Sequence, residues 1–141
     1  LERFKNGNHT VTLMLVKNPV GLSNCIKYSS KMTMPFDLAI ALNDNDADGR
    51  DVSWIWDADF TPLTLKSLKA YTIGKRAFDM ALRLKYAEIP VENVIDGEDY
   101  YRLINLIKST DRDLVILSTY TSMMNMRHSL VEQFGGKEFW Q

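Results

Sequence analysis

Between Asn43 and Asp51 the chain packs four aspartates, two asparagines, an arginine and a glycine into nine residues, Asn43-Asp44-Asn45-Asp46-Ala47-Asp48-Gly49-Arg50-Asp51. That charge density exceeds what an ordinary turn carries and calls for a partner: a cation, a polar ligand or another protein. Calcium is the first test, because Asp44, Asp46, Asp48 and Gly49 fall on the first, third, fifth and sixth positions of an EF-hand loop. The match then breaks. The last ligand position, which needs a bidentate glutamate, holds Ile55, and a strand rather than a helix leads into the loop. No metal ligand set is assigned, although a loosely held Mg2+ stays open. The plainer alternative is a loop bonded to itself through Asx turns of Asp44, Asn45 and Asp48, with Arg50 neutralising part of the charge. It gives no reason for Trp54 and Trp56 just downstream.

The apolar run at residues 38–42 leads into this loop with the length and β-branched content of a buried strand. In open α/β sheets ligands bind beyond strand C-termini, so the position itself suggests function. Residues 11–16 read as an earlier strand, stopped by Lys17-Asn18-Pro19-Val20-Gly21. Ser23 is a candidate N-cap for a short helix through Tyr28, with Ile26 facing inward. Residues 53–69 have no clean period, though Pro62 suits the start of one or two helical turns.

Further on, 70–74 reads as a strand and 76–87 as a helix with Ala77, Met80, Ala81, Leu84 and Ala87 along one side. Residues 91–95 form a short strand suited to a sheet edge, and 98–108 a helix with acids at its start and a lysine at its end. Residues 113–117 are the last strand, Thr119-Tyr120-Thr121 its exit loop, and 122–134 a helix stopped by Gly135, with Thr121 and Ser122 as its expected caps. Phe139 and Trp140, after a Gly-Gly break, form either a folded-back tail or a disordered end. Strands alternating with helices predict an α/β, Rossmann-like, mainly parallel sheet of about five to six strands with helices on both faces. Right-handed crossovers then bring Lys17-Asn18, the acidic loop and Thr119-Tyr120-Thr121 to one end of the sheet.

The 141 residues suit a single domain, 1–141, able to bury about two-thirds of its unfolded surface. The chain begins at Leu1 within a charged phrase, as a domain cut from a longer polypeptide would. A formal charge of −1 gives no electrostatic reason to expect nucleic acid. No apolar run approaches the roughly 18 residues of a membrane span, so no transmembrane segment is expected. One cysteine, Cys25, excludes an internal disulfide and favours a reducing, cytoplasmic setting. As a nucleophile Cys25 would need a base, and neither His9 nor His128 is linked to it by a motif, so a structural thiol is expected. No G-x-G-x-x-G follows the first strand and no P-loop lysine motif occurs, so a complete nucleotide site is not expected here.

Leu42-Asn43-Asp44-Asn45-Asp46-Ala47-Asp48-Gly49-Arg50-Asp51-Val52-Ser53-Trp54-Ile55-Trp56-Asp57-Ala58-Asp59-Phe60 resembles the hallmark of the C-terminal domain of MurT, the Mur-ligase-like subunit of lipid II isoglutaminyl synthase. The resemblance continues in Lys17-Asn18-Pro19-Val20-Gly21, Gly74-Lys75-Arg76-Ala77 and Tyr120-Thr121-Ser122-Met123. Ser118 stands where proline is common, and the N-terminal residues match poorly, so no role is carried to either place.

The resemblance implies a Mur ligase C-terminal-type fold and work with a glutaminase subunit, GatD, that releases ammonia from glutamine. The Mur-ligase-like subunit uses ATP and Mg2+, bound mainly in a central domain outside this chain, to activate the α-carboxyl of D-glutamate in the lipid II stem peptide. Ammonia then gives D-isoglutamine, at the inner face of the membrane.

The resemblance also implies that Asp51 completes, in trans, the triad of the glutaminase's cysteine and histidine. An acceptor there would fix the tautomer of that histidine and stabilise its cation. Lys17, Asn18, Asn43, Asp44, Asn45, Arg50, Arg76, Tyr120 and Thr121 become candidates for substrate or nucleotide contact, with helix capping the alternative for Lys17 and Asn18 and helix initiation for Arg76. Trp54, Ile55 and Trp56 are expected to pack as core, with an interface anchor as the alternative. A different class of function stays open: a non-catalytic binding module whose acidic loop holds a metal ion or small polar ligand.

Overall fold

Leu38, Ile40, Val115 and Leu117 point to one side of the sheet, while Ala39, Ala41, Leu114 and Ile116 point to the other. This period-2 division of uniformly apolar runs is what a strand covered on both faces requires. The computed structural model describes residues 1–135. Its strands are β1 (Glu2–Asn6), β2 (His9–Leu15), β3 (Phe36–Ala41), β4 (Ala70–Gly74), β5 (Val91–Asp96) and β6 (Asp113–Ser118). They form one six-stranded sheet in the order β1-β2-β6-β3-β4-β5, parallel except for the β1–β2 hairpin. The α/β, Rossmann-like expectation holds, with the acidic loop leaving the central strand β3 and β5 at the predicted edge.

The helices are α1 (Pro19–Ser30), α2 (Thr61–Thr64), α3 (Ala77–Tyr86), α4 (Tyr100–Ser109) and α5 (Tyr120–Phe134). On one face Leu22 and Ile26 of α1 and Met80 and Leu84 of α3 pack with Ile55, Phe60 and Leu63. On the other, Leu103, Ile104 and Ile107 of α4 join Met126 and Leu130 of α5.

Several boundaries differ from the sequence reading. β1 was not expected, because Glu-Arg-Phe-Lys-Asn offers a single apolar residue; Phe4 is buried, and the strand is completed by its pairing with β2. Gly7, with φ of 62°, makes the two-residue turn between them. α1 starts at Pro19 rather than after Ser23. Its N-cap is Asn18, whose Oδ1 accepts the Gly21 N–H at 2.7 Å, and Pro19 suits the first helical position because it has no N–H to leave unpaired. Ser23 lies inside α1, its hydroxyl accepting the Asp59 N–H.

Residues 53–69 resolve into a 3-10 turn at Ser53–Asp57 and the short α2. Arg83 holds this segment against α3 by donating to the Ile55 carbonyl at 2.9 Å and the Ala58 carbonyl at 2.8 Å. α5 begins at Tyr120 with Thr119 as N-cap, so Thr121 and Ser122 lie in its first turn and do not cap it. Phe139 and Trp140 lie outside the described residues.

Candidate functional site

Parallel strands β2, β6 and β3 are neighbours, so Lys17-Asn18, Thr119-Tyr120-Thr121 and the acidic loop emerge at the same end of the sheet, as expected. Asn43, one residue past Leu42, is 1% exposed and uses its whole amide. Its Oδ1 accepts the Lys75 N–H at 2.8 Å, and its Nδ2 donates to Glu98 at 2.9 Å and to the Thr121 hydroxyl at 3.0 Å. Its backbone N–H donates to the Thr119 hydroxyl at 3.0 Å. One side chain thus ties the loop after β3 to the loops after β4 and β5 and to the first turn of α5.

Gly74 makes this junction possible. Its φ is 112°, and a Cβ there would collide with the Leu42 carbonyl oxygen and come within 2.8 Å of Asn43 Oδ1. That Leu42 oxygen is in turn the acceptor for the Arg76 N–H at 3.0 Å.

The loop's carboxylates diverge. Asp44 pairs with Arg76 at 3.1 Å, and the same guanidinium grips Asp79 through two bonds of 2.7 and 3.0 Å. These bonds raise the Arg76 pKa and hold the Asp79 carboxyl below the usual range. Among the described residues, the Asp46 side chain pairs with the exposed Arg50, at 3.1 Å. Asp48, in a 3-10 turn at Asp46–Asp48, accepts the Asn45 N–H at 3.1 Å and two donors from Thr121. Asn45 donates to the Thr121 hydroxyl at 2.9 Å and accepts Lys75 Nζ at 2.6 Å. Among the described residues, no three His, Cys, Asp or Glu side chains converge on a point that could hold a metal ion.

Asp51 stands apart from this network. It is fully exposed, and its Oδ1 accepts the Ser53 N–H at 2.9 Å. The Ser53 N–H, then the Ser53 hydroxyl and the charge of Arg76, lower its pKa and keep it ionised. Arg50 pairs with Asp46 and makes no ion pair with Asp51. A shallow pocket beside Asp51 is lined by Arg50, Trp56, Arg76 and Asp79.

Residues 15–123 match the family described as MurT ligase C-terminal. The chain belongs to the MurT C-terminal family. It is 36% identical over 134 residues to the subunit MurT of "Lipid II isoglutaminyl synthase (glutamine-hydrolyzing)" from Streptococcus pneumoniae, covering 94% of this chain and 30% of that protein. It is 34% identical over 137 residues to the protein of the same name from Staphylococcus aureus strain COL, covering 96% of this chain and 31% of the relative. The chain thus spans just under a third of the curated relatives it matches.

In this MurT C-terminal domain the other candidates separate by geometry. Asn18 caps α1, Asn43, Asn45 and Thr121 brace the loops, Asp44 and Arg76 pair with each other, and Arg50 lies on the surface. Lys17 is exposed with no side-chain partner among the described residues, and Tyr120 is exposed at the start of α5. Lys75, quoted within the Gly74-Lys75-Arg76-Ala77 segment, and Glu98 were given no site role by sequence reasoning, although both bond the asparagine bridge; their partners are 30 and 55 residues away.

Of the aromatic pair, Trp54 packs against the core with Ile55 beside it, whereas Trp56 is 44% exposed, edge-on to Tyr86 with ring centroids 5.7 Å apart. The core expectation holds for Trp54 and Ile55 and is corrected for Trp56. Burial raises the pKa of the Cys25 thiol, the environment of a structural cysteine, while His9 and His128 lie against Asp113 and Glu132. No helix among the described residues is long and apolar enough to cross a membrane.

Proposed function

We propose that this domain is the C-terminal part of a glutamine-hydrolysing lipid II isoglutaminyl synthase and that Asp51 completes the triad of its glutaminase subunit, GatD, from across the subunit interface. The observation that carries this reading is the placement of Asp51: an ionised carboxylate, held by Ser53 and exposed in the long loop that follows the central strand β3. A catalytic histidine needs such an acceptor on the nitrogen away from its nucleophile, because the acceptor fixes the tautomer and stabilises the imidazolium formed during thiol activation. The Ser53 N–H leaves the carboxylate open to solvent while fixing its direction.

The wider reaction is the amidation of the D-glutamate α-carboxyl in the lipid II stem peptide, with ammonia supplied by the glutaminase, at the cytoplasmic face of the membrane. ATP and Mg2+ belong to that reaction and are expected to be held mainly outside this domain; among the described residues the acidic loop gathers no three-carboxylate metal site. The loop's carboxylates diverge, and Asp44, Asp48 and Arg76 are engaged within the domain.

The test is Asp51→Asn in the full-length polypeptide assembled with its glutaminase. The expected result is normal assembly with glutamine hydrolysis reduced about a hundredfold or more, since the amide no longer stabilises the imidazolium. Undiminished hydrolysis overturns the reading.

A further inference from the structure

Two loops at the N-terminal ends of neighbouring parallel strands, residues 31–35 before β3 and 65–69 before β4, carry large apolar side chains that the domain leaves uncovered. Leu65 is 97% exposed and Met34 60%. Both loops line a hollow of about 210 Å3, whose walls include Met32, Met34, Lys66, Leu68 and Arg112. They read Lys-Met-Thr-Met-Pro and Leu-Lys-Ser-Leu-Lys, apolar residues interleaved with lysines and no acid in either.

Arg112 is largely spent within the domain. It donates to the Phe36 carbonyl at 3.2 Å and the Ser67 carbonyl at 2.8 Å, and lies 3.6 Å from the buried Asp37 carboxylate. Lys31, Lys66 and Lys69 are exposed, and none forms an ion pair among the described residues. Asp111, exposed beside Arg112, offsets one charge and leaves the surroundings of the hollow positive. The acidic loop leaves β3 at its opposite end.

We propose that these two loops are a contact for an anionic lipid bilayer, with Leu65 and Met34 entering the boundary between headgroups and acyl chains and Lys31, Lys66 and Lys69 meeting lipid phosphates. Charge and residue type select this occupant. Lysine is depleted from protein–protein interfaces, whereas at a bilayer it keeps its ammonium among the headgroups while its stem lies along apolar groups. Attraction to anionic lipids fades within a Debye length, so the lysines must sit on the loops that carry the apolar tips, as they do here. Docked this way, the domain holds its acidic loop away from headgroups of the same sign. The inference is carried by the composition and exposure of the two loops, not by the role of Asp51, and Asp51→Asn leaves both loops unchanged.

The test is co-sedimentation of the full-length polypeptide with sucrose-loaded vesicles of phosphatidylcholine, alone or mixed with phosphatidylglycerol. Leu65→Ser and the double reversal Lys66→Glu/Lys69→Glu are compared with Tyr101→Ser, an exposed aromatic at the start of α4 and so at the other end of the sheet. The parent should partition onto the mixed vesicles about tenfold more strongly than onto phosphatidylcholine alone, and less so as salt is added. Leu65→Ser should lower that partition about fivefold or more and the double reversal about tenfold or more, with Tyr101→Ser unchanged. Thermal unfolding of unbound Leu65→Ser should match the parent, since its side chain touches almost nothing in the domain.

Equal partition of the parent onto the two kinds of vesicle overturns the proposal. So does parent-like partition of either loop variant, because the contact needs both the apolar tips and the lysines. A lowered unfolding midpoint for unbound Leu65→Ser also overturns it, since another part of the same chain would then cover the loop.

Discussion

Asp48 holds Thr121 through both carboxylate oxygens, Oδ1 accepting the backbone N–H at 2.8 Å and Oδ2 the hydroxyl at 2.6 Å, across 73 residues of sequence. A carboxylate from the loop after β3 therefore sits at the N-terminus of α5, where free N–H groups and the helix dipole favour negative charge. Thr119, the formal N-cap, makes no side-chain capping bond of its own.

Asp48→Ala should accordingly destabilise the domain by about 1–2 kcal/mol, the usual cost of losing a helix cap. Asp46→Ala, two residues earlier, removes only an exposed pair with Arg50 and should cost no more than about 0.5 kcal/mol. Chemical denaturation of the two variants side by side checks the difference.

Gly74→Ala should be more damaging than either. The substitution combines a left-handed φ with a collision against the Leu42 carbonyl, and it disturbs the acceptor of the Arg76 N–H. A loss of at least about 2 kcal/mol is expected, read from the shift of the thermal unfolding midpoint.

Tyr100 provides a pH test at the alkaline end. Its phenol is buried, donates to the Ser122 hydroxyl at 3.0 Å, and has its pKa pushed up to about 12, first by burial, with the nearby Glu98 carboxylate adding to it. The folded state keeps the proton more tightly than the unfolded chain. The associated stability is complete below the ordinary phenol range and is lost as pH rises through about 12. Denaturation midpoints should fall over that window, and Tyr100→Phe should flatten the fall.

The acid end tests Arg76. Its hydrogen bonds hold the Asp79 carboxyl below the usual range, so that contribution is present above the ordinary carboxylate pKa and disappears as pH falls through the lowered value. Arg76→Gln should shrink this acid-side loss, visible as a shallower dependence of the urea midpoint on pH.

The central architecture was legible because β3 and β6 are apolar on both faces and end abruptly in polar residues, a pattern few other structures produce. β1 escaped because an edge strand with one buried residue has no periodicity of its own. Asn18 and Ser23 both suit an N-cap by type, and what separates them is Pro19, whose ring fits the first helical turn and extends α1 back to it. Residues 53–64 were ambiguous for a different reason: their turns are held by Arg83, from a helix that follows in the chain. The position of Asp51 was marked by its motif, but the roles of Asp44 and Asp48 depend on partners 32 and 73 residues distant, Arg76 and Thr121.

Arg83 lies between the rings of Trp56 and Phe60, 5.4 and 4.7 Å from their centroids, while its guanidinium grips two carbonyls of the segment just after Asp51. It works as a rivet between α3 and the base of the acidic loop. The footing of the segment that follows Asp51 is therefore set by a side chain from α3, more than twenty residues further along the chain.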